Sequence, residues 1–251
     1  MNALTPPVNT VAPLTNVAIM QELVGRLKNR KPDLPGIGCF YGYSGYGKTI
    51  ATTYAANKLD IHAVYVEVQW TWTKKKFMEM LLRELTPGVK YGSRPVYDLT
   101  EIAAERLMLG RMILFVDEAD HMIDKGYVEI IRDLYNVANT PIILIGEENL
   151  PTKLERFERL HNRMARPAAA QPCSLDDAHH LARLCADKVQ IEGDLLRRLI
   201  EDVAGCTRRV VSNIDDIQEE ALKQGWDKVD AKTWGNRTFN TGSVIPRRRG
   251  I

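Results

Sequence analysis

The chain has 251 residues, of which 45% are apolar and 26% charged, ordinary values for a globular protein that exclude a collagenous, fibrous or disordered chain. Its 34 basic and 32 acidic side chains give a net charge of +2, which argues against a protein that coats nucleic acid through bulk charge. The charge is uneven, because residues 235–251 contain four arginines and no acid, so that residues 1–234 carry a net charge of −2. A near-neutral total is therefore compatible with local basic surfaces.

The four cysteines are widely spaced and form no CxxC pair, which favours reduced thiols in the cytoplasm over a zinc site or a disulfide framework. The first residues contain no basic segment that leads into an apolar one, so no signal peptide is predicted. No stretch reaches the roughly 18 apolar residues of a membrane span. We therefore expect a soluble, cytoplasmic protein that does not contact a membrane.

Short apolar strands alternate with helices along most of the chain. Residues 1–13 contain three prolines and predict an extended arm, after which helical periodicity runs from residue 15 to 29. The predicted strands cover residues 37–41, 63–68, 112–116 and 141–145. The predicted helices between them cover residues 49–59, 73–85, 98–109 and 125–138. This alternation predicts an α/β domain over residues 14–173, with a parallel sheet flanked by helices.

Only helices are predicted after residue 174. Ser174 and Asp177 have the spacing of a capping box, with aspartate in place of the usual glutamate. The predicted helices cover residues 174–189, 194–203 and 207–224. We expect a small helical lid domain over residues 174–234, followed by a flexible basic tail over residues 235–251.

One segment matches the phosphate-binding pattern G-x-x-x-x-G-K-[ST] without a gap, between a predicted strand and a predicted helix. It consists of Gly42, Tyr43, Ser44, Gly45, Tyr46, Gly47, Lys48 and Thr49, with Ile50 continuing into the helix. Glycines let backbone N–H groups point inward at phosphate oxygens, and the positive end of the helix adds to the attraction. Lys48 can reach the β- and γ-phosphates and the Thr49 hydroxyl can bind Mg²⁺. The segment therefore predicts a P-loop that binds ATP and Mg²⁺.

The apolar strand at residues 112–116 is followed by two acids, Asp117 and Glu118. Asp117 lies 69 residues after Lys48. In a parallel sheet, Asp117 would emerge at the carboxyl end beside the P-loop, where ligands bind. There it can hold Mg²⁺, and Glu118 can orient or deprotonate the attacking water. A strand that merely ends in solvated carboxylates is the alternative. Behind a P-loop, the pair predicts an ATPase that hydrolyses ATP to ADP and phosphate.

Residues 117–120 also spell the Asp-Glu-Ala-Asp signature of an RNA helicase class. We set this interpretation aside because those helicases close a second RecA-like domain over the nucleotide, and no second α/β unit is predicted. His121 is accordingly interpreted as a residue at the start of a helix rather than as a coupling residue.

Together these motifs resemble the AAA+ ATPases over residues 15–225. The resemblance implies a polar first sensor after the strand at 141–145, for which Glu147, Glu148 and Asn149 are candidates. It implies a second sensor over the γ-phosphate at Arg208, within Gly-Cys-Thr-Arg at residues 205–208. The alternatives are a solvated acidic loop for the first sensor and an ion pair for Arg208.

The same resemblance implies an arginine finger that reaches the γ-phosphate of a neighbouring subunit. The candidates are Arg156, Arg159, Arg163 and Arg166, of which Arg163 and Arg166 occupy the position that the family usually uses. A guanidinium stays charged, and its planar fork fits phosphate oxygens. The alternative is a solvated basic helix face.

Among AAA+ proteins, the chain resembles the DNA-transposition ATPases, which include phage Mu transposition protein B and the helper ATPases of insertion sequences. The P-loop, the Val-Asp-Glu-Ala-Asp strand end and the Leu-Ile-Gly-Glu-Glu-Asn-Leu segment at 144–150 carry the resemblance. It implies an ATP-dependent homo-oligomer, a ring or a helical filament, that assembles on double-stranded DNA, selects target DNA and activates a transposase. No helix-turn-helix domain is predicted before the first strand, in contrast to the phage protein.

Residues 68–94 carry a local net charge of +4 and are the predicted DNA contact. Contacts from such a segment to phosphates would be independent of base sequence. The predicted DNA-binding residues are Trp72, Lys74, Lys75, Lys76, Lys90 and Arg94, and Trp70 precedes them. The alternative is a solvated helix face with partly buried tryptophans. The arginines at 247–249 are compatible with phosphate contacts, with transposase binding or with a solubilising tail.

Three other functions remain open at this stage. The first is a helicase loader or initiator-like AAA+ ATPase, which shares the same site. The second is a secretion or signalling ATPase with a protein ligand and no DNA binding. The third is a nucleotide-gated binding module that does not hydrolyse ATP.

Overall fold

A computed structural model describes residues 14–59 and 61–242, and the chain divides into two compact units. The α/β unit comprises Asn16–Tyr43 and Lys48–Ala170. The C-terminal unit comprises Ser44–Gly47 together with the described residues before Asn16 and after Ala170. The predicted arm at residues 1–13 lies outside the described residues.

The α/β unit is built on a five-stranded sheet in which every pairing is parallel. The strands are β1 (Ile37–Tyr41), β2 (Ala63–Glu67), β3 (Ile113–Asp117), β4 (Ile142–Gly146) and β5 (Ala168–Ala169). Their order across the sheet is β2-β3-β4-β1-β5. Every residue of β3 and β4 is buried, as expected for strands covered by helices on both faces. The predicted parallel α/β fold is confirmed.

Eight helices accompany this sheet among the described residues. They are α1 (Thr15–Lys28), α2 (Lys48–Lys58), α3 (Lys74–Leu85), α4 (Val96–Leu109), α5 (Asp120–Asp124), α6 (Ile130–Ala138), α7 (Leu150–Leu154) and α8 (Glu158–His161). The prediction of one helix over residues 125–138 is wrong, because the chain turns at Gly126, whose φ of +71° lies in the left-handed region. The turn separates α5 from α6 and leaves Tyr127 and Val128 buried between them.

The core of the α/β unit lies where α3, α4 and α6 pack on one another beside the sheet. Phe77, Leu81, Leu107 and Leu134 are fully buried there. Burying each such side chain contributes about 1.5–3 kcal/mol relative to leaving it in water. This packing fixes the strands, and with them the loops that leave their carboxyl ends.

The C-terminal unit is mainly helical. Its helices are α9 (Leu175–Cys185), α10 (Gly193–Asp202), α11 (Thr207–Gln224) and α12 (Ala231–Trp234). The predicted capping box is confirmed, since Ser174 Oγ accepts from Asp177 N and the Asp177 carboxylate accepts from Ser174 N. Two short parallel strands, β6 (Gln190–Ile191) and β7 (Lys228–Val229), correct the expectation of helices alone. Two residues are too few to show the alternation that predicts a strand.

The prediction of a flexible tail from residue 235 is wrong for residues 235–242. Phe239 is only 7% exposed and stacks on Trp234, with ring centroids 5.9 Å apart. Asn240 N donates to Asn213 Oδ1 at 2.7 Å. Arg247, Arg248 and Arg249 lie outside the described residues.

Among the helices of the described ranges, none combines the length and apolar character needed to cross a membrane.

Candidate nucleotide-binding site

The candidate site lies at the carboxyl edge of the sheet. β4 lies between β1 and β3, and parallel pairing brings the ends of these strands, Tyr41, Gly146 and Asp117, to one edge. The P-loop follows β1, the first-sensor loop follows β4, and Asp117 ends β3. Ligands of open parallel sheets bind at this edge. The topology therefore brings the predicted nucleotide-binding and acidic motifs together.

The P-loop has the backbone shape that phosphate binding requires. Gly45 and Gly47 have φ values of +84° and +78°, in the left-handed region that glycine adopts without strain. The 11-residue helix α2 begins directly afterwards, at Lys48. The Lys48 Nζ donates to Gly42 O at 2.6 Å and to Tyr43 O at 3.0 Å, so the ammonium is held over the loop. This arrangement offers a cation and a helix N-terminus to an anionic ligand.

The Lys48 ammonium also lies among acids. Partial burial lowers the pKa of Lys48, and the negative charges of Asp117, Glu118, Glu147 and Asp120 act in the opposite direction. These acids lie at or just after the ends of β3 and β4, with Asp120 at the start of α5, and their charges act together on the P-loop lysine.

Asp117 is 3% exposed and accepts three hydrogen bonds. Its Oδ2 accepts from Thr49 Oγ1 at 2.7 Å and from the Tyr65 hydroxyl at 2.5 Å, and its Oδ1 accepts from Glu118 N at 2.9 Å. Burial and the Asp117 charge raise the pKa of Tyr65, which keeps the phenol protonated as a donor. A hydroxyl and a carboxylate are hard oxygen ligands of the kind that Mg²⁺ takes, so this pair fits the predicted ion. Tyr65 belongs to no sequence motif, so its contact with Asp117 could not be predicted from the sequence.

Glu118 occupies a strained position immediately after β3. Its φ is +53°, which costs a non-glycine residue on the order of 1–3 kcal/mol, and the next residue, Ala119, is held by a bond from its N–H to Ile145 O. Loss of hydration and the Asp117 charge raise the pKa of Glu118, while His121 and Lys48 lower it. A carboxylate with a raised pKa beside a nucleotide site suits a general base.

Asp120 organises the loop that follows β4. It is 3% exposed, accepts from Glu147 N at 2.8 Å and pairs with Lys153 Nζ at 3.0 Å. Gly146 leaves room for this carboxylate, because a Cβ there would collide with Asp120 Oδ2. The sequence alone does not predict this role, since it depends on the register of two strands.

Of the three first-sensor candidates, Glu147 is the one whose charge acts on the P-loop lysine. The negative charge of Glu147 raises the pKa of Lys48 against the effect of burial, whereas Asn149 carries no charge. Asn149 precedes α7 and its side chain makes no capping hydrogen bond. The sensor role itself stays a prediction.

Of the arginine-finger candidates, Arg163 lies at the opposite end of the strands from this edge. Arg163 O accepts from Ile37 N at the amino end of β1, and the guanidinium of Arg163 donates to Asn136 Oδ1 and Arg159 O. A five-residue strand spans about 17 Å, so Arg163 cannot reach the P-loop of its own chain. Arg166 precedes β5, and its exposed guanidinium has no hydrogen bond or ion pair to the described residues. Arg156 and Arg159 are also exposed.

Arg208 lies in the first turn of α11, in the C-terminal unit. Its N–H donates to Gly45 O at 3.0 Å, and its side chain is exposed. Within this unit, the structure therefore brings the predicted second sensor to the Ser44–Gly47 segment.

The lysine run begins α3. Thr73 caps the helix by accepting from Lys76 N, and Lys74 and Lys76 are exposed while Lys75 is half-buried. Lys90 and Arg94 are exposed but follow the other end of this 12-residue helix, about 18 Å from its start. DNA binding by Lys74, Lys75, Lys76, Lys90 and Arg94 stays a prediction.

The prediction that Trp72 contacts DNA is wrong. Trp72 is 8% exposed and belongs to the core of the α/β unit, whereas Trp70 is 58% exposed. A turn closed by the bond from Trp72 N to Gln69 O places Trp70 at its tip and directs Trp72 inward. The phase of this turn could not be determined from the sequence.

Comparison with known proteins agrees with this geometry. Residues 30–154 match the family model of an AAA domain. No curated protein sequence matches the chain.

Solved structures share the fold at low sequence identity. The Orc1 protein of Aeropyrum pernix in complex with DNA has a TM-score of 0.66 and 16% identity, covering 92% of this chain and 66% of that one. The Aeropyrum pernix Orc2 protein with ADPNP and ADP has a TM-score of 0.66 and 16% identity, covering 90% and 68%. The Pyrobaculum aerophilum Cdc6p has a TM-score of 0.62 and 14% identity, covering 89% and 66%. The chain spans about two thirds of the length of these structures, and identities this low show the fold alone.

Proposed function

We propose that this chain, an ATPase whose residues 30–154 form an AAA domain, uses ATP to control its binding to double-stranded DNA. One observation carries the proposal: an exposed tryptophan and the lysine run lie just beyond the same sheet edge as the hydrolysis site. The last residue of β2, Glu67, is paired in register with Asp117, and Trp70 follows three residues later.

ATP binding and hydrolysis use the residues of that edge. Lys48 supplies positive charge to the phosphates, while Thr49 and Asp117 would hold Mg²⁺, which would neutralise charge on the phosphate oxygens. Tyr65 keeps the Asp117 carboxylate in place through its 2.5 Å bond. Glu118 accepts a proton from the attacking water. Glu147 and Arg208 are the proposed sensors.

Assembly would complete the site. Arg163 lies at the opposite edge of the sheet, and the guanidinium of Arg166 is exposed without a described partner. The proposed role of such an arginine is to contact the nucleotide of a neighbouring copy. ATP would then bridge copies into a homo-oligomer, a ring or a helical filament, that loosens after hydrolysis.

An initiator-like or loader-like role has better support than transposition. The structural relatives are Orc1, in complex with DNA, and Cdc6p, and both support the initiator-like alternative. None of the comparisons supports the transposition role, a transposase partner or a phage origin. Target selection in transposition therefore remains a second candidate, favoured by the sequence strings around the P-loop and β3.

The test is DNA affinity across a salt series. Replacing Lys74, Lys75 and Lys76 together by alanine should weaken binding and flatten the slope of log affinity against log salt by about 0.9 for each lost phosphate contact. The control removes three exposed lysines of the C-terminal unit, Lys188, Lys223 and Lys228. We expect the control to bind like the wild type. A wild-type protein without salt-sensitive DNA affinity would favour a protein ligand instead.

A further inference from the structure

The exposed Trp70 side chain is held by α5, the short helix that follows the acidic strand end. Its ring contacts the His121 ring edge-on, with centroids 5.4 Å apart and planes at 78°. Lys125 Nζ lies 5.1 Å from the centroid of the Trp70 ring and donates to Trp72 O at 3.4 Å. The tip of the turn after β2 is therefore attached to α5 by one aromatic contact, and to Lys125, the residue after α5, by one cation–π contact.

His121 belongs to the same turn as Glu118. The His121 N–H donates to Glu118 O at 3.1 Å, and the imidazole is close enough to act electrostatically on the Glu118 carboxylate. Glu118 has the left-handed backbone described above, and a displacement of the turn that it shares with His121 would move its carboxylate. Trp70, His121 and Glu118 thus form a continuous path from the surface to the candidate base.

The surface end of this path is basic. Trp70 is followed by the exposed Lys74 and Lys76 and the half-buried Lys75 in the first turn of α3, and Lys125 adds another exposed lysine. The Lys76–Glu79 ion pair, at 4.0 Å, is the one salt bridge of these lysines within the described residues. A polyanion that binds the lysines would therefore meet the indole ring.

We propose that Trp70 and His121 are positioning residues through which DNA bound at the lysine run sets the position of Glu118 and thereby the rate of ATP hydrolysis. This rests on the proposed DNA binding. His121, interpreted from the sequence as a helix-start residue, lies in the first turn of α5 and also couples the basic surface to the base. Trp70 transmits contact with phosphates to His121 through this T-shaped ring contact.

The experiment compares ATPase rates with and without saturating double-stranded DNA in the wild type, His121→Gln, Trp70→Leu and Trp70→Phe. We expect His121→Gln and Trp70→Leu to reduce the ratio of DNA-stimulated to unstimulated rate at least about fivefold, the lower bound of an ordinary coupling between two sites. Trp70→Phe keeps an aromatic edge for His121 and should retain most of the stimulation. Tyr97→Leu, at another exposed aromatic residue, is the control and should behave like the wild type.

DNA affinity, measured by fluorescence anisotropy, separates the two proposals. His121→Gln should bind DNA within about threefold of the wild type, since imidazole replacement removes none of the lysines that carry the salt-dependent term. Full stimulation of His121→Gln with intact DNA binding would overturn the coupling alone. Absence of DNA binding by the wild type would overturn the proposed function and the coupling with it.

Discussion

The Thr49 hydroxyl donates a 2.7 Å hydrogen bond to Oδ2 of Asp117, which joins the start of α2 to the end of β3. The same carboxylate oxygen accepts from Tyr65, so a strand residue without a sequence motif stabilises the candidate Mg²⁺ ligand. The two halves of the nucleotide site are thus already connected by protein groups.

We expect Tyr65→Phe to weaken Mg²⁺ affinity by about 10-fold or more, the usual effect of removing a partner that orients a metal ligand. The readout is binding of a fluorescent ATP analogue as Mg²⁺ is titrated, which requires no hydrolysis. Tyr97→Phe removes an exposed hydroxyl and serves as the control. An unchanged Mg²⁺ midpoint in Tyr65→Phe would show that Asp117 is positioned without the phenol.

Glu118→Gln should lower the hydrolysis rate by about 10²–10⁴-fold while ATP binding is retained, because the amide cannot accept a proton from water. Burial and Asp117 raise the pKa of Glu118. Since the base must be deprotonated, the wild-type rate should fall as the pH is lowered through this raised pKa, above the pH expected for an ordinary glutamate. The pH–rate profile of phosphate release tests this. A wild-type rate that stays constant as the pH is lowered to the pKa of an ordinary glutamate would contradict a raised pKa for the base.

The sheet and the P-loop were predictable because their signals are local. Residues 42–49 form an unbroken motif, and Asp117 ends a short apolar run of the kind that indicates a buried strand. Tyr65 and Asp120 were not predictable, since their contacts with Asp117 and Glu147 depend on the register of neighbouring strands. Which of Trp70 and Trp72 is exposed depends on the phase of one turn, which the sequence does not indicate.

The tail was mispredicted for a related physical reason. Its sequence from residue 235 has no periodicity, and the burial of Phe239 arises from tertiary packing, which includes stacking on Trp234 of α12. Local composition carries no information about such tertiary contacts.

Gly146→Ala tests the loop after β4. The added Cβ would collide with the Asp120 carboxylate and approach Leu150 Cδ2 to 2.9 Å, so we expect a loss of about 1–3 kcal/mol in the free energy of unfolding. Urea denaturation measures this change. Gly25→Ala is the matched control, because α1 leaves open space around Gly25 and alanine favours a helix by roughly 0.5–1 kcal/mol. Equal stability of the two variants would show that the Asp120 contact does not constrain Gly146.

Phe239→Ala should destabilise the C-terminal unit by about 3–5 kcal/mol, the cost of removing a buried aromatic ring. Thermal unfolding followed by tryptophan fluorescence reports the change, since Phe239 stacks on Trp234. Leu222→Ala, at a half-exposed position of α11, should stay within about 0.5 kcal/mol of the wild type. If Phe239→Ala unfolds at the same temperature as the wild type, the tail contributes no stability through Phe239, as expected for a flexible tail.

Arg166→Ala should lower the ATPase rate by about a thousandfold or more if this arginine acts on a neighbouring copy, while ATP binding is retained. Complementation distinguishes action in trans from a local defect. Mixing Arg166→Ala with Lys48→Ala should restore part of the activity, because some interfaces then combine an intact P-loop with an intact arginine. No restoration at any mixing ratio would exclude Arg166 as the trans residue, and Arg163→Ala would be examined in the same way.

The most direct measurement is the steady-state ATPase rate of the wild-type protein with and without double-stranded DNA, at low and high salt. Hydrolysis at the Asp117 and Glu118 edge and DNA contact at the lysine run should be coupled, so we expect DNA to raise the rate at low salt and the increase to disappear as salt screens the phosphate contacts. A rate that DNA does not change at any salt concentration would contradict DNA-controlled ATP hydrolysis.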